Sequence, residues 1–367
     1  MKTILYKMEE NKIDQDKIEK AGKLVRQGEV VAFPTETVYG LGADALNKDA
    51  SRKIYAAKGR PSDNPLIVHI ARFEDLYPIV KEVPEEAKKL AETFWPGPLT
   101  MCFFKTDLVP KETTGGLDTV AVRMPNHKVA LEFIKASGGY LAGPSANTSG
   151  RPSPTLAEHV LDDMNGRIPL ILDGGQVGIG IESTIVDFTG DKVSILRPGY
   201  ITKEMMEEVL GQEVVVDPAV NGVTDDAKPK APGMKYRHYA PKAELNLVEG
   251  NNKEEVFSFM RQLAKEEMLQ GHGCGIMVTQ EHMESFLELA KDLGKEELMV
   301  IKSLGHEDDE ASVAKQLYKV LREFDEENVD IIFSESFCDS GVGQAVMNRL
   351  IRAAGHKVIH AEGKKKN

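Results

Sequence analysis

The sequence predicts an α/β protein in two parts. A twisted mixed sheet with flanking helices is expected over residues 1–212, and a doubly wound parallel sheet of Rossmann or flavodoxin type over 244–367. Three patterns predict this. Up to residue 212, short apolar segments rich in β-branched residues outnumber helical ones and several follow each other closely, which suits a mixed sheet. From 244 onward, five strand-like segments alternate with four helical ones, the signature of parallel pairing through helical crossovers. Between them, residues 213–243 carry Pro218, Pro229, Pro232 and Pro241, so this stretch reads as a linker. At 367 residues, two cores are the natural expectation.

In order along the chain, residues 14–27 form an amphipathic helix with Ile18, Ala21, Leu24 and Val25 on one face, closed by Gly28. Residues 29–33 are a short strand, followed by the turn Pro34-Thr35-Glu36-Thr37. Residues 49–57 are helical, capped by Asp49, and deliver Lys58 at their end. Strands are expected at 66–70, 99–104, 119–123, 140–142, 168–172, 183–188 and 193–196. Helices are expected at 85–94 and 127–136, the first stopped by Trp95-Pro96-Gly97-Pro98. In the second part, strands at 244–248, 275–278, 298–301, 329–333 and 358–360 alternate with helices at 253–268, 282–293, 311–324 and 344–353.

Composition narrows the function. Hydrophobic residues make up 41% and charged residues 28%, the proportions of a water-exposed globular protein. No apolar run reaches the length of a membrane span, so a cytoplasmic location is expected. Cys102, Cys274 and Cys338 are far apart and form no Cys-x-x-Cys pair, which disfavours disulfide frameworks and zinc clusters; they read as small buried hydrophobes. The net charge of −12 is uneven: residues 244–367 carry 24 acidic against 15 basic residues, and the first 243 carry 34 against 31. The second part is therefore a poor nucleic-acid binder, while a local cationic pocket in the near-neutral first part would not be swamped.

Familiar site motifs are absent. There is no Gly-x-x-x-x-Gly-Lys-[Ser/Thr] and no Gly-x-Ser-x-Gly. Gly40-Leu41-Gly42-Ala43-Asp44-Ala45 fits a loose dinucleotide fingerprint, but residues 34–39 separate it from the strand it would have to follow. What remains is a set of cations, Lys58, Arg60, Arg123, Arg151 and Arg197, most of them beside Pro or Gly on stiff or sharply turned backbone. Small polar residues accompany them at strand ends: Thr37, Asn64, Ser145, Asn147, Ser153 and Ser183. Each alone reads as a surface group. Together they describe a positively lined cavity for an anion, with a bare RNA-binding module as the competing reading. His69, at the end of an apolar strand, reads as a core histidine. Ser340-Gly341-Val342-Gly343 before a helix reads as a tight turn rather than an anion site.

Lys58-Gly59-Arg60 with Ser145-x-Asn147, Pro34-Thr35-Glu36-Thr37-Val38-Tyr39-Gly40-Leu41, and Trp95-Pro96-Gly97-Pro98-Leu99-Thr100 resembles the YrdC/YwlC family of threonylcarbamoyl-AMP synthases over residues 10–210. Pro232-Gly233-Met234-Lys235-Tyr236-Arg237-His238-Tyr239 and the α/β tail resemble the two-domain form. One departure is that Pro61 displaces the Ser after the Lys-x-Arg pair to Ser62. The resemblance implies a YrdC-like fold with a central cavity. It implies a nucleotidyltransferase that joins L-threonine, bicarbonate and ATP into L-threonylcarbamoyl-AMP, with pyrophosphate released, for threonylcarbamoyladenosine in tRNA. It assigns threonine to Thr37, His69, Arg123, Gly143 and Ser183. It assigns ATP to Lys58, Arg60, Asn64, Ser145, Asn147, Ser153, Arg197 and Tyr236, with Lys58 and Arg60 catalytic and Tyr236 a lid element from the linker. No metal ligand in the chain is implied, and Mg2+ is expected to arrive with ATP. A downstream transferase of tRNA modification is the implied partner, with a weak tRNA contact and no membrane.

Overall fold

The computed structural model describes residues 2–220, 238–338 and 340–361. The chain divides into two compact units: Met1–Ser149 with Ser153–Tyr236, and Gly150–Pro152 with Arg237–Asn367. The first unit carries a mixed sheet of eleven strands among the described residues. Its order is Ile4–Lys7, Leu170–Asp173, Val31–Phe33, Gly40–Asp44, Leu141–Ala142, Ile67–His69, Thr119–Arg123, Leu99–Phe104, Thr184–Asp187, Ser194–Arg197 and Val215–Val216. The last strand pairs in parallel with Ser194–Ile195, beyond the expected domain edge at 212.

Besides Val215–Val216, two more strands and two helices lie outside the expectation. Ile4–Lys7 pairs in parallel with Leu170–Asp173 at the sheet edge. Gly40–Asp44, which sequence patterning left as a turn with a chance dinucleotide fingerprint, is an interior strand antiparallel to both Val31–Phe33 and Leu141–Ala142. Helices Ala157–Met164 and Lys203–Leu210 also form. The helix that ends at Lys58 starts one residue earlier than expected. Asn47, not Asp49, caps it, its side chain accepting from the backbone N–H groups of Asp49 and Ala50. Gly59 at φ 64° then turns the chain out of the helix, in a region an L side chain enters at a cost.

The alternation of each strand sorts side chains between the two faces of the sheet. Val68, Met101, Val122 and Val186 point into the main core with Leu41, Ile54, Leu90 and Trp95. On the other face a separate small apolar cluster forms from Ile67, Cys102, Ala121, Ile185 and Leu196. A third cluster packs helices Gln15–Arg26 and Lys128–Ala136 over the sheet through Ile18, Val25, Phe133 and Ile134.

The second unit is a five-stranded, all-parallel sheet among the described residues, ordered Met299–Ser303, Cys274–Val278, Ile331–Glu335, Glu244–Glu249, Val358–His360. Helices Lys253–Gln270, Met283–Leu293, Glu310–Phe324 and Gly341–Ala353 connect the strands, and Met260, Ala264, Ile276, Phe286 and Phe333 fill a core. Ser340 stands at the N-cap position without a side-chain cap bond, and the Gly343 N–H donates to Glu310 Oε2 at 2.8 Å, so the chain's own carboxylate occupies that helix N-terminus. Cys102 and Cys274 are buried as expected, and Cys338 is exposed, contrary to expectation. Burial pushes the Cys274 thiol up to about 12 and raises that of Cys102 as well, so both are inert at neutral pH.

Candidate active site

The site is built on the face of the first sheet opposite the main core. His69, Arg123 and Thr100 are direct cross-strand partners, and Ile185 and Arg197 extend the same row. One register therefore places two arginines and a histidine in line above the small apolar cluster of Ile67, Cys102, Ala121 and Ile185. All three charged or titratable members are nearly inaccessible to water: His69 at 3%, Arg123 at 4% and Arg197 at 5% exposure.

The turn after Phe33 supplies the opposing wall. Thr35 Oγ1 donates to the Val38 carbonyl at 2.6 Å and accepts from the N–H groups of Thr37 and Val38, a local hydroxyl turn that points Glu36 and Thr37 inward. The N–H groups of Ile179 and Gly180 donate to the Glu36 and Thr37 carbonyls, which pins the turn from outside. Arg123 Nη1 donates to Thr37 Oγ1 at 2.9 Å, and its Nε donates to the Gly97 carbonyl at 3.3 Å. Glu36 Oε1 lies 2.6 Å from Arg123 Nη2. A Cβ at position 143 would stand 3.2 Å from the His69 ring, so Gly143 lets the chain cross this histidine closely.

A second cluster adjoins the first through the same loop. Lys58 Nζ donates to the carbonyl of Ser145, to the carbonyl of Asn147 at 2.6 Å and to Asn147 Oδ1 at 3.2 Å. Ser145 Oγ donates to Asn147 Oδ1, and Ser145 bridges Gly40 on the interior strand. Farther round, Ser183 Oγ contacts Thr100 Oγ1 at 2.7 Å and accepts from Arg197 Nη2 at 3.2 Å, while Arg197 Nε donates to the Ser183 carbonyl. Ser153 Oγ donates to Glu182 Oε1 beside it. The candidates Thr37, His69, Arg123, Gly143 and Ser183 thus gather in one region, with Lys58, Ser145, Asn147, Ser153 and Arg197 on the adjoining loops.

Two expected members stand apart. Arg60 directs its guanidinium to the Asn64 and Pro65 carbonyls of its own loop. Arg151 falls in the second unit, where it pairs with Asp325 at 3.1 Å, so the cation list shortens by one. Tyr236 lies outside the described residues. Ser62 is exposed.

Buried polar atoms without a hydrogen-bond partner concentrate here. Of the eight found among the described residues, four belong to Glu36 (both oxygens), His69 Nδ1 and Arg123 Nη2. Native interiors leave few such atoms, and where they cluster a ligand is the usual complement. The 2.6 Å Glu36–Arg123 contact is therefore an ion pair by distance without the alignment of a hydrogen bond. Glu36, Thr100 and Glu182 were not singled out in the sequence. Glu36 and Thr100 appeared in the sequence within the Pro34–Leu41 and Trp95–Thr100 motifs, without a role assigned to either.

Burial, with Arg123 alongside, pushes the His69 imidazole down to about 3. The ring is thus neutral at physiological pH. The unfolded chain takes up a proton on this residue near 6.5 and the folded chain does not until about 3. Stability should therefore fall as pH drops through that window, by up to about 1.4 kcal/mol per pH unit from this group. His69→Asn should show a shallower slope of urea midpoints against pH between about 4.5 and 6.5. An unchanged slope would mean that His69 does not fold as a buried neutral imidazole.

Comparison with known proteins fits this geometry. A family model named Sua5_yciO_yrdC and described as telomere recombination matches residues 23–199, and one described as threonylcarbamoyl-AMP synthase, C-terminal domain, matches 201–355. A threonylcarbamoyl-AMP synthase of Pyrococcus abyssi is 46% identical over 97% of this chain and 99% of its own length. The chain belongs to the Sua5 family of threonylcarbamoyl-AMP synthases. Its Bacillus subtilis relative of the same name is 49% identical over 93% of this chain and 94% of that protein. The crystal structure of P. abyssi Sua5 complexed with L-threonine superposes with a TM-score of 0.89 at 45% identity, covering 98% of this chain and 99% of that one. The Sua5 fold thus accounts for both units, and no helix among the described residues is long and apolar enough to cross a membrane.

Proposed function

We propose that this chain condenses L-threonine, bicarbonate and ATP into L-threonylcarbamoyl-AMP and pyrophosphate. The observation that carries the reading is the row His69–Arg123–Thr100, with its unpartnered buried atoms, joined through residues 143–147 to the Lys58 cluster. The first holds an amino acid and the second a polyphosphate.

The chemistry asks for that pairing. Bicarbonate loses water to give CO2, whose addition to the free threonine amine gives a carbamate, and a carbamate oxygen must then attack the α-phosphorus while pyrophosphate leaves. Two anions have to approach, so fixed positive charge at the developing phosphate charge and firm positioning of both reactants carry the rate. No covalent protein nucleophile is needed. Arg123 is assigned the amino-acid carboxylate, as a planar fork with Thr37 beside it. His69, Gly143 and Ser183 line the rest of the amino acid, and the neutral His69 serves as a hydrogen-bonding wall. Lys58, Ser145, Asn147, Ser153 and Arg197 are assigned to ATP, with Arg60 and Asn64 joining from their loop and Tyr236 from the linker.

No group of three or more His, Cys, Asp or Glu among the described residues is arranged to hold a metal ion. Mg2+ is assigned to the triphosphate, on which it keeps mostly phosphate and water ligands. It would neutralise charge on the leaving pyrophosphate. The product is a reactive mixed anhydride, so a transferase that places threonylcarbamoyl on tRNA is the partner that consumes it.

The reading is tested by following ATP consumption with and without threonine and bicarbonate, then weighing the adenylate formed. Consumption that ignores threonine would end it. A chain ending after residue 220 retains the edge strand Val215–Val216 and should fold with synthesis impaired. Full activity in that fragment would make everything beyond residue 220 dispensable for the reaction.

A further inference from the structure

We propose that Glu36 is the ammonium-binding residue of the threonine site, and that it exchanges its ion pair with Arg123 for the ligand's ammonium. The inference rests on Arg123 being the carboxylate clamp. The Glu36 side chain is only 13% exposed, and neither of its oxygens has a hydrogen-bond partner or measurable contact with water. Arg123 Nη2, 2.6 Å away, is equally unsatisfied. A carboxylate and a guanidinium kept from water need each other's charge, yet this pair lacks directed bonds and so forgoes much of what a bidentate pair gains.

An amino acid brings the same two charges in mirrored order. When its carboxylate takes the Arg123 fork, Glu36 loses that partner and faces the ammonium on the adjacent Cα. Two buried charges then exchange one another for two ligand charges, with no net change in site charge. The other groups around Arg123 can offer the ammonium a hydrogen-bond acceptor at most, not a charge. Thr37 already shares its hydroxyl with Thr35 and Arg123, and His69 is a neutral imidazole. The turn also fits the role: the Glu36 and Thr37 carbonyls are pinned from outside by Ile179 and Gly180, so both side chains stay turned into the site.

The test is calorimetric titration of the full chain, without ATP, with L-threonine and with its 2-hydroxy analogue, in which a hydroxyl replaces the amine. Glu36→Gln keeps the shape and removes the charge. It should weaken threonine binding at least about ten-fold, the scale of a lost charge-assisted bond, and should not weaken the analogue, whose carboxylate no longer displaces an acidic partner from Arg123. ATP affinity should not move. Threonine affinity that is kept or improved in Glu36→Gln would overturn the proposal and make Glu36 a mere counter-ion of the clamp. Should Glu36→Gln fail to fold, Glu36→Asp decides: an undiminished preference for amine over hydroxyl with the carboxylate withdrawn by one methylene also overturns it. Failure of the clamp itself reads differently, as Arg123 variants that bind both ligands like the parent chain.

Discussion

Arg123→Ala is expected to raise the threonine requirement by about thirty-fold to several thousand-fold, the equivalent of about 2–5 kcal/mol for a desolvated charge pair. The guanidinium sits at 4% exposure between His69 and Thr100, so water cannot replace it at the carboxylate. ATP binding should change far less, because the Lys58 cluster is held by residues 145–147 and not by Arg123. The substitution also strands the Glu36 carboxylate in a buried site, which costs about 3–5 kcal/mol of stability when one partner of a buried pair is removed. Melting curves must therefore accompany the kinetics, and Arg123→Ala in a Glu36→Gln background should recover part of the lost stability. Unchanged threonine dependence in a folded variant would refute the clamp.

Lys58→Ala should abolish threonine- and bicarbonate-dependent pyrophosphate release, a loss of at least about a thousand-fold if its charge acts on the transition state. Lys58 is 1% exposed and at the end of its helix, where Asn47 at one end and Gly59 at the other fix which residue is last. Its ammonium also ties down the carbonyls of Ser145 and Asn147, so the variant should lose order in that loop as well as charge. A pyrophosphate-release assay with circular dichroism as the folding control separates the two. Turnover at the parent rate in a folded Lys58→Ala would remove the polyphosphate half of the site. Arg60→Ala should fall short of this loss, since its guanidinium is engaged with the Asn64 and Pro65 carbonyls of its own loop.

Local chemistry made much of this visible in the sequence. The parallel unit was legible because a strand–helix alternation allows few topologies. Residues 58–65 were legible because Gly and Pro leave the backbone few choices. Gly40–Asp44 was missed for the opposite reason. Its two glycines carry no strand propensity, and their lack of a side chain is what the fold uses. A Cβ at Gly40 would lie 2.6 Å from the Phe33 ring, so that strand is defined by its neighbours. Arg151 read like the other Pro-flanked cations, and only packing assigned it to Asp325.

The sequence by itself determined the class of each unit, the family, and which loops bear cations and hydroxyls, because these depend on residue type and short-range backbone limits. Tertiary structure alone decided that His69, Arg123, Thr100 and Arg197 share one row, and that Glu36 lies against the guanidinium. Register between strands distant in sequence is set by long-range pairing and burial, and no local spacing encodes it.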